Sequence, residues 1–153
     1  MRVVLQRVAH ARVSVGAKTV GAIGPGLCLL LGIGKHDSDR DAELLAEKIL
    51  KLRVFDDEQG KMNRSIVDCR GAILVVSQFT LYGDWRKGNR PSFSTAAPHE
   101  MAERLYRYFV ERLRAGGVSV ATGEFQARME VMLANDGPVT FLLDSRGGVP
   151  AGS

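Results

Sequence analysis

The chain has 153 residues and a formal net charge of +4; 45% of its residues are hydrophobic and 25% are charged. This composition is typical of one soluble globular domain that can bury a core, and it excludes low-complexity disorder and collagen. The longest apolar runs span five residues, whereas a membrane helix needs about 20. The N-terminal sequence lacks the apolar core of a signal peptide, so we expect a cytoplasmic protein with no membrane contact.

Three strands are predicted in the first part of the chain, over 3–8, 11–15 and 19–23. Apolar and polar residues alternate over 11–15, and glycine-containing turns follow the second and third of these segments. Residues 27–31 are apolar on both faces. Such a run is typical of a central strand that is covered on both sides.

Two helices are predicted from their start signals and apolar spacing. Ser38 and Asp41 form a capping-box pattern before apolar residues that repeat at helical spacing as far as Leu52. Pro98 opens the second helix at the favoured first-turn position, and Gly116–Gly117 ends it. The residues of this second helix that should face the core are Met101, Leu105, Phe109 and Leu113.

Further strands are predicted at three places, 53–55, 73–76 and 118–121. The segments 128–134 and 139–144 are predicted to pair as a hairpin around the turn 135–138. We therefore expect an α/β fold, a single domain over 1–145 with mixed β-sheets and two main helices packed on one side. The small, glycine-rich residues 146–153 are expected to form a flexible tail.

Familiar catalytic and cofactor patterns are absent from the sequence. The glycines at 24–26 and at 34 fit neither a phosphate-binding loop nor a dinucleotide motif. Ser77 lacks the glycines of a nucleophile elbow, and metal-ligand spacing is missing among His10, His36 and His99. Cys28 and Cys69 lie in or beside apolar runs, which favours buried thiols over a disulfide or a metal site. We expect no metal and no cofactor, while a serine triad assembled across the fold stays open.

Three stretches contain polar, charged or turn-forming residues that their predicted local structure does not by itself require. In 77–81 a buried strand ends in serine, glutamine and threonine, where binding groups are common. In 135–140 a proline follows good turn chemistry and removes an N–H at the start of a strand. In 84–93 three cations and two aromatics suit a single-stranded nucleic-acid end. Each stretch also has a purely structural explanation. This is hydrogen bonding at a strand end for 77–81, a simple turn for 135–140 and a solvated loop for 84–93.

Together these stretches resemble the D-aminoacyl-tRNA deacylase family, whose members remove D-amino acids from tRNA. The segments 77–81 and 135–140 match the two signatures of that family, and the likeness covers nearly the whole chain. Three departures from the family pattern lie outside the signatures, and one of them is the extra tail after Ser145. Gln126 stands where glycine is usual, and Trp85 stands where the residue is commonly smaller.

The resemblance implies a homodimer that hydrolyses the ester of D-aminoacyl-tRNA, and of glycine mischarged on tRNA(Ala), without a cofactor. It places the peptide N–H groups of Phe79 and Thr80 at the catalytic centre. It also places Gly137–Pro138, joined by a cis bond, in the partner's site, where rigid carbonyls would exclude an L side chain. Arg7 would fix those carbonyls. The other implied substrate contacts are Ser77, Gln78 and Met129, and the cations expected to contact tRNA are Arg86, Lys87 and Arg90.

The chemistry leaves more than one mechanism open. Peptide N–H groups can stabilise an oxyanion with no ionisable side chain, and the terminal ribose 2′-hydroxyl of the tRNA would then assist water. We favour this route, with Thr80 in a positioning role, over attack by Thr80 itself, because no base stands near it in sequence. Two other functions are weighed: an esterase with Ser77 or Thr80 as nucleophile, and a non-catalytic nucleic-acid-binding protein, which the basic charge and the loop 85–93 together suggest.

Overall fold

Eight strands, two α-helices and one short 3-10 turn make up residues 1–147, the part of the chain that the computed structural model describes. The strands are β1 (Arg2–Val15), β2 (Lys18–Ile23), β3 (Gly26–Gly32), β4 (Arg53–Asp56), β5 (Met62–Ser65), β6 (Ala72–Ser77), β7 (Ser119–Thr122) and β8 (Glu130–Asp144). The helices are α1 (Asp39–Lys51) and α2 (His99–Ala115), and the 3-10 turn is Phe79–Tyr82. Most of the tail predicted to be flexible, 148–153, lies outside the described residues.

Strand β1 organises the main sheet because it is long enough to pair with three other strands. Its first half pairs antiparallel with β3 and its second half with β2, while β8 runs antiparallel along its other edge. Beyond β3 the sheet continues with β6 and β7 in parallel, so the sheet is mixed, as predicted. The strands predicted over 3–8 and 11–15 are one strand, since no glycine or proline interrupts them.

Both helices pack on one face of this sheet, as predicted. On that face Leu29 of β3 joins one buried cluster with Ile49 of α1 and Phe109 of α2. Cys28, the preceding residue of β3, joins a second buried cluster on the opposite face with Val13 of β1. This alternation follows from the two-residue period of a strand and explains why β3 is apolar on both sides.

Helix α1 begins where the sequence predicts, and helix α2 begins one residue later than predicted. Helix α1 begins after Ser38, whose backbone N–H donates to the Asp41 carboxylate at 2.8 Å, as the capping-box pattern predicts. Helix α2 begins at His99, so Pro98 precedes the helix and is not its first-turn residue. The restricted φ of proline suits both positions, and the sequence could not separate them. No helix within residues 1–147 is long and apolar enough to cross a membrane.

The predicted hairpin around 135–138 is wrong, because β8 is one strand with a bulge at that place. Between the pairs Gln6–Thr140 and Val8–Asn135, β1 advances by two residues (6 to 8) while β8 advances by five (135 to 140). Residues 136–139 therefore bulge out of the ladder without reversing the chain. Asp-Gly-Pro suits a bulge as well as a turn, and the pairing of both halves of β8 with β1 decides between them.

The two cysteines are free thiols. Cys28 is fully buried, as predicted, and burial raises the pKa of its thiol to about 11. Cys69 is only partly buried.

Candidate functional site

A cavity of about 540 Å³ opens at the carboxyl end of β6. Four segments form its walls: the end of β3, the end of β6 with the turn after it, the start of α2 with the residues before it, and the chain that leads into β8. The structure therefore brings together four of the predicted site residues, Ser77, Gln78, Phe79 and Met129.

The turn after β6 presents two free backbone donors. Ser77 pairs with Leu31 of β3, and the N–H of Gln78 donates to the Leu31 carbonyl at 2.8 Å. The chain then leaves the ladder and enters the 3-10 turn. Within residues 1–147 no acceptor takes the N–H groups of Phe79 and Thr80, as is usual for the first donors of a helical turn. Two adjacent free peptide donors can bind an anionic oxygen.

The Thr80 hydroxyl is engaged by its own segment. It accepts a hydrogen bond from the side-chain amide of Gln78. Thr80 is exposed, and it follows the lining residue Phe79 without itself lining the cavity. Among the described residues no carboxylate or imidazole hydrogen-bonds to this hydroxyl. The lack of a hydrogen-bonded base within residues 1–147 favours a positioning role over a nucleophilic one.

Side chains from distant parts of the sequence hold the 3-10 turn. Arg2 donates from Nη1 to the Leu81 carbonyl at 2.9 Å, and its guanidinium lies 4.5 Å from the centre of the Tyr82 ring. The Tyr82 hydroxyl donates to Asp37, a buried carboxylate that also accepts the N–H of Gly34 at 2.6 Å. Burial raises the pKa of Tyr82 above its usual range, so the hydroxyl stays a neutral donor.

The walls at α2 and before β8 contain residues that the sequence analysis missed as site residues. The rings of His99 and Phe125 stack with centres 5.2 Å apart, and both line the cavity. Gln126 also lines it, with a φ of 68° that is easier for glycine. A Cβ on Gly123 would lie 2.6 Å from the Met129 sulfur, so this glycine leaves room for Met129 at the wall. The departure from the family pattern at 126 was the only signal in the sequence.

Gly137 and Pro138 do not line this cavity; they lie in the β8 bulge, where both are exposed and joined by a cis peptide bond. The guanidinium of Arg7, itself buried, holds the bulge. Its Nε donates to the Asp136 carbonyl at 3.0 Å, and its Nη1 donates to the Val54 carbonyl of β4 at 2.7 Å. Arg7 therefore contacts the peptide just before the Gly-Pro pair.

Asn135 closes the bulge through its side-chain amide. Its Oδ1 accepts the N–H of Val139 at 2.7 Å, and its Nδ2 donates to the Val139 carbonyl at 3.2 Å and to the Thr140 hydroxyl at 3.1 Å. These contacts satisfy backbone groups that the bulge removes from the ladder. Apart from Thr80 and the three cations, the predicted site residues thus fall into two groups, one in the cavity and one at the bulge.

The three cations expected to contact tRNA differ in their surroundings. Arg86 donates two hydrogen bonds of 2.8 Å to the carboxylate of Asp84, and this contact lowers the pKa of that carboxyl below its usual range. Lys87 and Arg90 are exposed, and neither has an ion-pair partner in the described part of the chain. Two of the three cations are therefore free to meet an anionic partner.

Comparison with known proteins identifies one family. The family model of D-Tyr-tRNA(Tyr) deacylase matches residues 4–144. The D-aminoacyl-tRNA deacylase of Symbiobacterium thermophilum is 61% identical over 145 residues, which cover 95% of this chain and 96% of that protein. The D-aminoacyl-tRNA deacylase of Heliobacterium modesticaldum is 58% identical over 148 residues, which cover 97% and 99%. A solved structure of the c-Myc DNA Unwinding Element Binding Protein superposes with a TM-score of 0.90 at 46% identity, covering 96% of this chain and 100% of that one.

Proposed function

The chain belongs to the D-Tyr-tRNA(Tyr) deacylase family and hydrolyses the ester bond of D-aminoacyl-tRNA, and we propose that it does so in the cavity at the end of β6. The observation that carries this assignment is the family match over 4–144, whose first signature, 77–81, borders the cavity. The volume of about 540 Å³ is in the range of small-molecule sites and can hold an aminoacyl group.

The reaction is a hydrolysis of an already activated ester. Water adds to the carbonyl carbon, an oxyanion forms, and the ester C–O bond then breaks as the ribose oxygen leaves and takes a proton. We assign stabilisation of the oxyanion to the free N–H groups of Phe79 and Thr80. We assign the walls around the aminoacyl group to Ser77, Gln78 and Met129.

Activation of the water is assigned to the substrate. Since Thr80 accepts a hydrogen bond from Gln78 and none of the described carboxylates or imidazoles hydrogen-bonds to it, its hydroxyl is poorly prepared to attack. The 2′-hydroxyl of the terminal ribose is adjacent to the ester in every aminoacyl-tRNA, and it can orient the water without a protein base. Thr80 then positions the turn that carries the two N–H donors.

The working unit in this proposal is a homodimer. Within residues 1–147, β8 pairs with β1 along one edge and with no strand along the other. Three apolar side chains of β8 are 47%, 42% and 59% exposed, namely Met132, Phe141 and Leu142. A long strand with a free edge and exposed apolar side chains favours pairing with a second copy.

In this dimer the exposed Gly137–Pro138 segment enters the cavity of the partner subunit. Its peptide carbonyls would occupy the space that an L side chain needs, while a D side chain points elsewhere. Arg7 and Asn135 support this role because they hold the segment on both sides of the bulge. Glycine has no side chain to exclude, so glycine mischarged on tRNA(Ala) should also be released.

The test is deacylation of matched D-tyrosyl-, L-tyrosyl- and glycyl-tRNA by the purified full chain. We expect cleavage of the D-tyrosyl and glycyl esters and survival of the L-tyrosyl ester. Cleavage of both enantiomers would keep the hydrolase but overturn the exclusion mechanism. Intact D-tyrosyl-tRNA at enzyme excess would contradict the function. Tight RNA binding without turnover would then support the nucleic-acid-binding alternative, which the likeness to a DNA-element-binding protein favours.

A further inference from the structure

Trp85 is the only tryptophan of the chain, and it is 78% exposed in the loop between Asp84 and Ser92. A single exposed aromatic is common on protein surfaces and by itself indicates nothing. Three features of the surroundings of Trp85 indicate a binding role: the closed base of the loop, the contacts between the loop and the candidate site, and the positive charge of the loop.

The base of the loop is closed by its own backbone. The N–H of Asp84 donates to the Ser92 carbonyl at 2.7 Å, and the N–H of Ser92 donates to the Asp84 carbonyl at 2.9 Å. The carboxylate of Asp84 also holds the backbone N–H of Arg86 at 3.1 Å, in addition to its guanidinium. Both neighbours of Trp85 are thereby fixed, while its own side chain is left in solvent.

The loop leaves the protein next to the 3-10 turn of the candidate site. The ring of Phe93, just after the loop, packs edge-to-face on the ring of Phe79 with centres 5.0 Å apart. The hydroxyl of Thr95 donates to the Tyr82 carbonyl at 3.3 Å. A ligand that reaches the cavity past Phe79 therefore passes close to the base of this loop.

The loop has an excess of positive charge. Asp84 is paired with Arg86, whereas Lys87 and Arg90 are exposed and have no ion-pair partner within the described residues. Two free cations beside an exposed aromatic ring are the usual components of a surface for single-stranded nucleic acid, with phosphates on the cations and a base on the ring.

We propose that Trp85 stacks on an unpaired base of the substrate's single-stranded 3′ end, while Lys87 and Arg90 contact the flanking phosphates. The inference rests on the proposed function, because that function brings the 3′ end of a tRNA to the neighbouring cavity. It assigns to Trp85 a role in positioning the RNA outside the chemistry of the ester.

The first experiment follows the tryptophan emission of the full chain, which reports on Trp85 alone. We expect unacylated tRNA to quench the emission until binding saturates. The same tRNA without its unpaired 3′-terminal nucleotides should bind without comparable quenching. Equal quenching by both RNAs, or none by either at saturation, would overturn the inference. A short-wavelength emission maximum without RNA would also overturn it, because Trp85 would then be buried between copies of the chain.

The second experiment measures KM and kcat for D-tyrosyl-tRNA. Trp85→Ala should raise KM on the order of 5- to 150-fold, the range found when a stacked base loses its aromatic partner, with kcat nearly unchanged. Trp85→Phe should recover most of the loss. Leu44→Ala, at an exposed apolar residue of α1, is the matched control and should change neither constant. An unchanged KM for Trp85→Ala would overturn the inference.

The salt dependence of binding tests the two cations. Replacing Lys87 and Arg90 together with alanine should lower the slope of log affinity against log salt concentration by about 1.4, at about 0.7 for each single-strand phosphate contact. An unchanged slope would remove both residues from the binding surface. Failure of the proposed function is distinguishable from all these outcomes, because it would appear as intact D-tyrosyl-tRNA with the unaltered chain.

Discussion

The hydroxyl of Thr80 illustrates how a single side chain separates two mechanisms. A nucleophilic threonine needs a base that takes its proton. In this protein the hydroxyl is hydrogen-bonded to the side-chain amide of Gln78, which donates to the Thr80 oxygen. An amide donor lowers the electron density available for attack, so the contact fits a residue that shapes the turn.

Replacing Thr80 with valine is therefore expected to lower kcat for D-tyrosyl-tRNA by less than about tenfold, the value of one lost neutral hydrogen bond. A substrate ending in 2′-deoxyadenosine should lose about 100-fold or more, because it lacks the group that assists the water. Single-turnover deacylation measures both effects.

Two further variants complete this comparison. Thr80→Ser keeps the hydroxyl, and Ser77→Ala removes the other candidate nucleophile. If Thr80→Val or Ser77→Ala abolished turnover while the 2′-deoxy substrate reacted normally, the esterase alternative would replace substrate assistance.

At the scale of elements, the bulge of β8 combines a backbone distortion with a buried support. Gly137 has a φ of +135°, a conformation that L residues rarely adopt. A Cβ at this position would lie 2.7 Å from Cγ2 of Val139 and 3.2 Å from Nη2 of Arg7. The element thus depends on glycine for its backbone and on Arg7 of β1, itself bonded to the Val54 carbonyl of β4, for a contact that holds it.

Gly137→Ala is expected to lower the free energy of unfolding by about 1–3 kcal/mol, because it forces alanine into a disfavoured conformation. It should also reduce D-tyrosyl-tRNA turnover or weaken the rejection of the L ester, since the Gly-Pro segment must shift. Urea unfolding and paired D and L deacylation assays check the two effects.

Gly24→Ala is the matched control for this change. A Cβ on Gly24 meets no atom within 4 Å, and its φ is not in the left-handed region. We expect it to fold and react like the unaltered chain, with a stability change within about 1 kcal/mol. Wild-type stability and chirality in Gly137→Ala would show that the bulge has no part in substrate selection.

At the scale of the whole molecule, the two groups of candidate residues do not meet within one chain. The cavity lies at the end of β6, whereas the Gly137–Pro138 segment is exposed in β8 and does not line it. In the proposed dimer, a second copy that pairs along β8 would bring its Gly137–Pro138 segment to the cavity of the first. The same strand carries this segment and the exposed apolar side chains.

Leu142→Asp is expected to give a monomer that no longer rejects L-tyrosyl-tRNA or no longer turns over. Leu142 is 59% exposed in the isolated chain, so a charge there should leave the fold intact and act only on association. Light scattering gives the mass, and circular dichroism checks the fold. Leu44→Asp, at a residue of α1 that is 51% exposed, should remain a dimer. A monomeric unaltered chain with full D selectivity would contradict the proposed assembly.

Much of the fold and half of the site followed from local sequence. The unbroken apolar run over 27–31 predicted a strand buried on both faces, and the capping pattern of Ser38 predicted the start of α1; both are confirmed. The strand that ends at Ser77 was also predicted, and with it the position of the polar residues at the cavity. These features depend on neighbours in sequence, which is why a local pattern could specify them.

The remaining features were decided by contacts between distant segments. Asp-Gly-Pro permits a turn or a bulge, and only the pairing of both halves of β8 with β1 selects the bulge. Arg7 holds that bulge from 129 residues away, and His99 and Phe125 meet at the cavity from separate elements. The sequence by itself determined most of the elements and the family, because propensity, spacing and signatures are local properties. The tertiary structure decided the shape of the site, because a hydrogen-bond or packing partner is set by which strand or helix lies alongside.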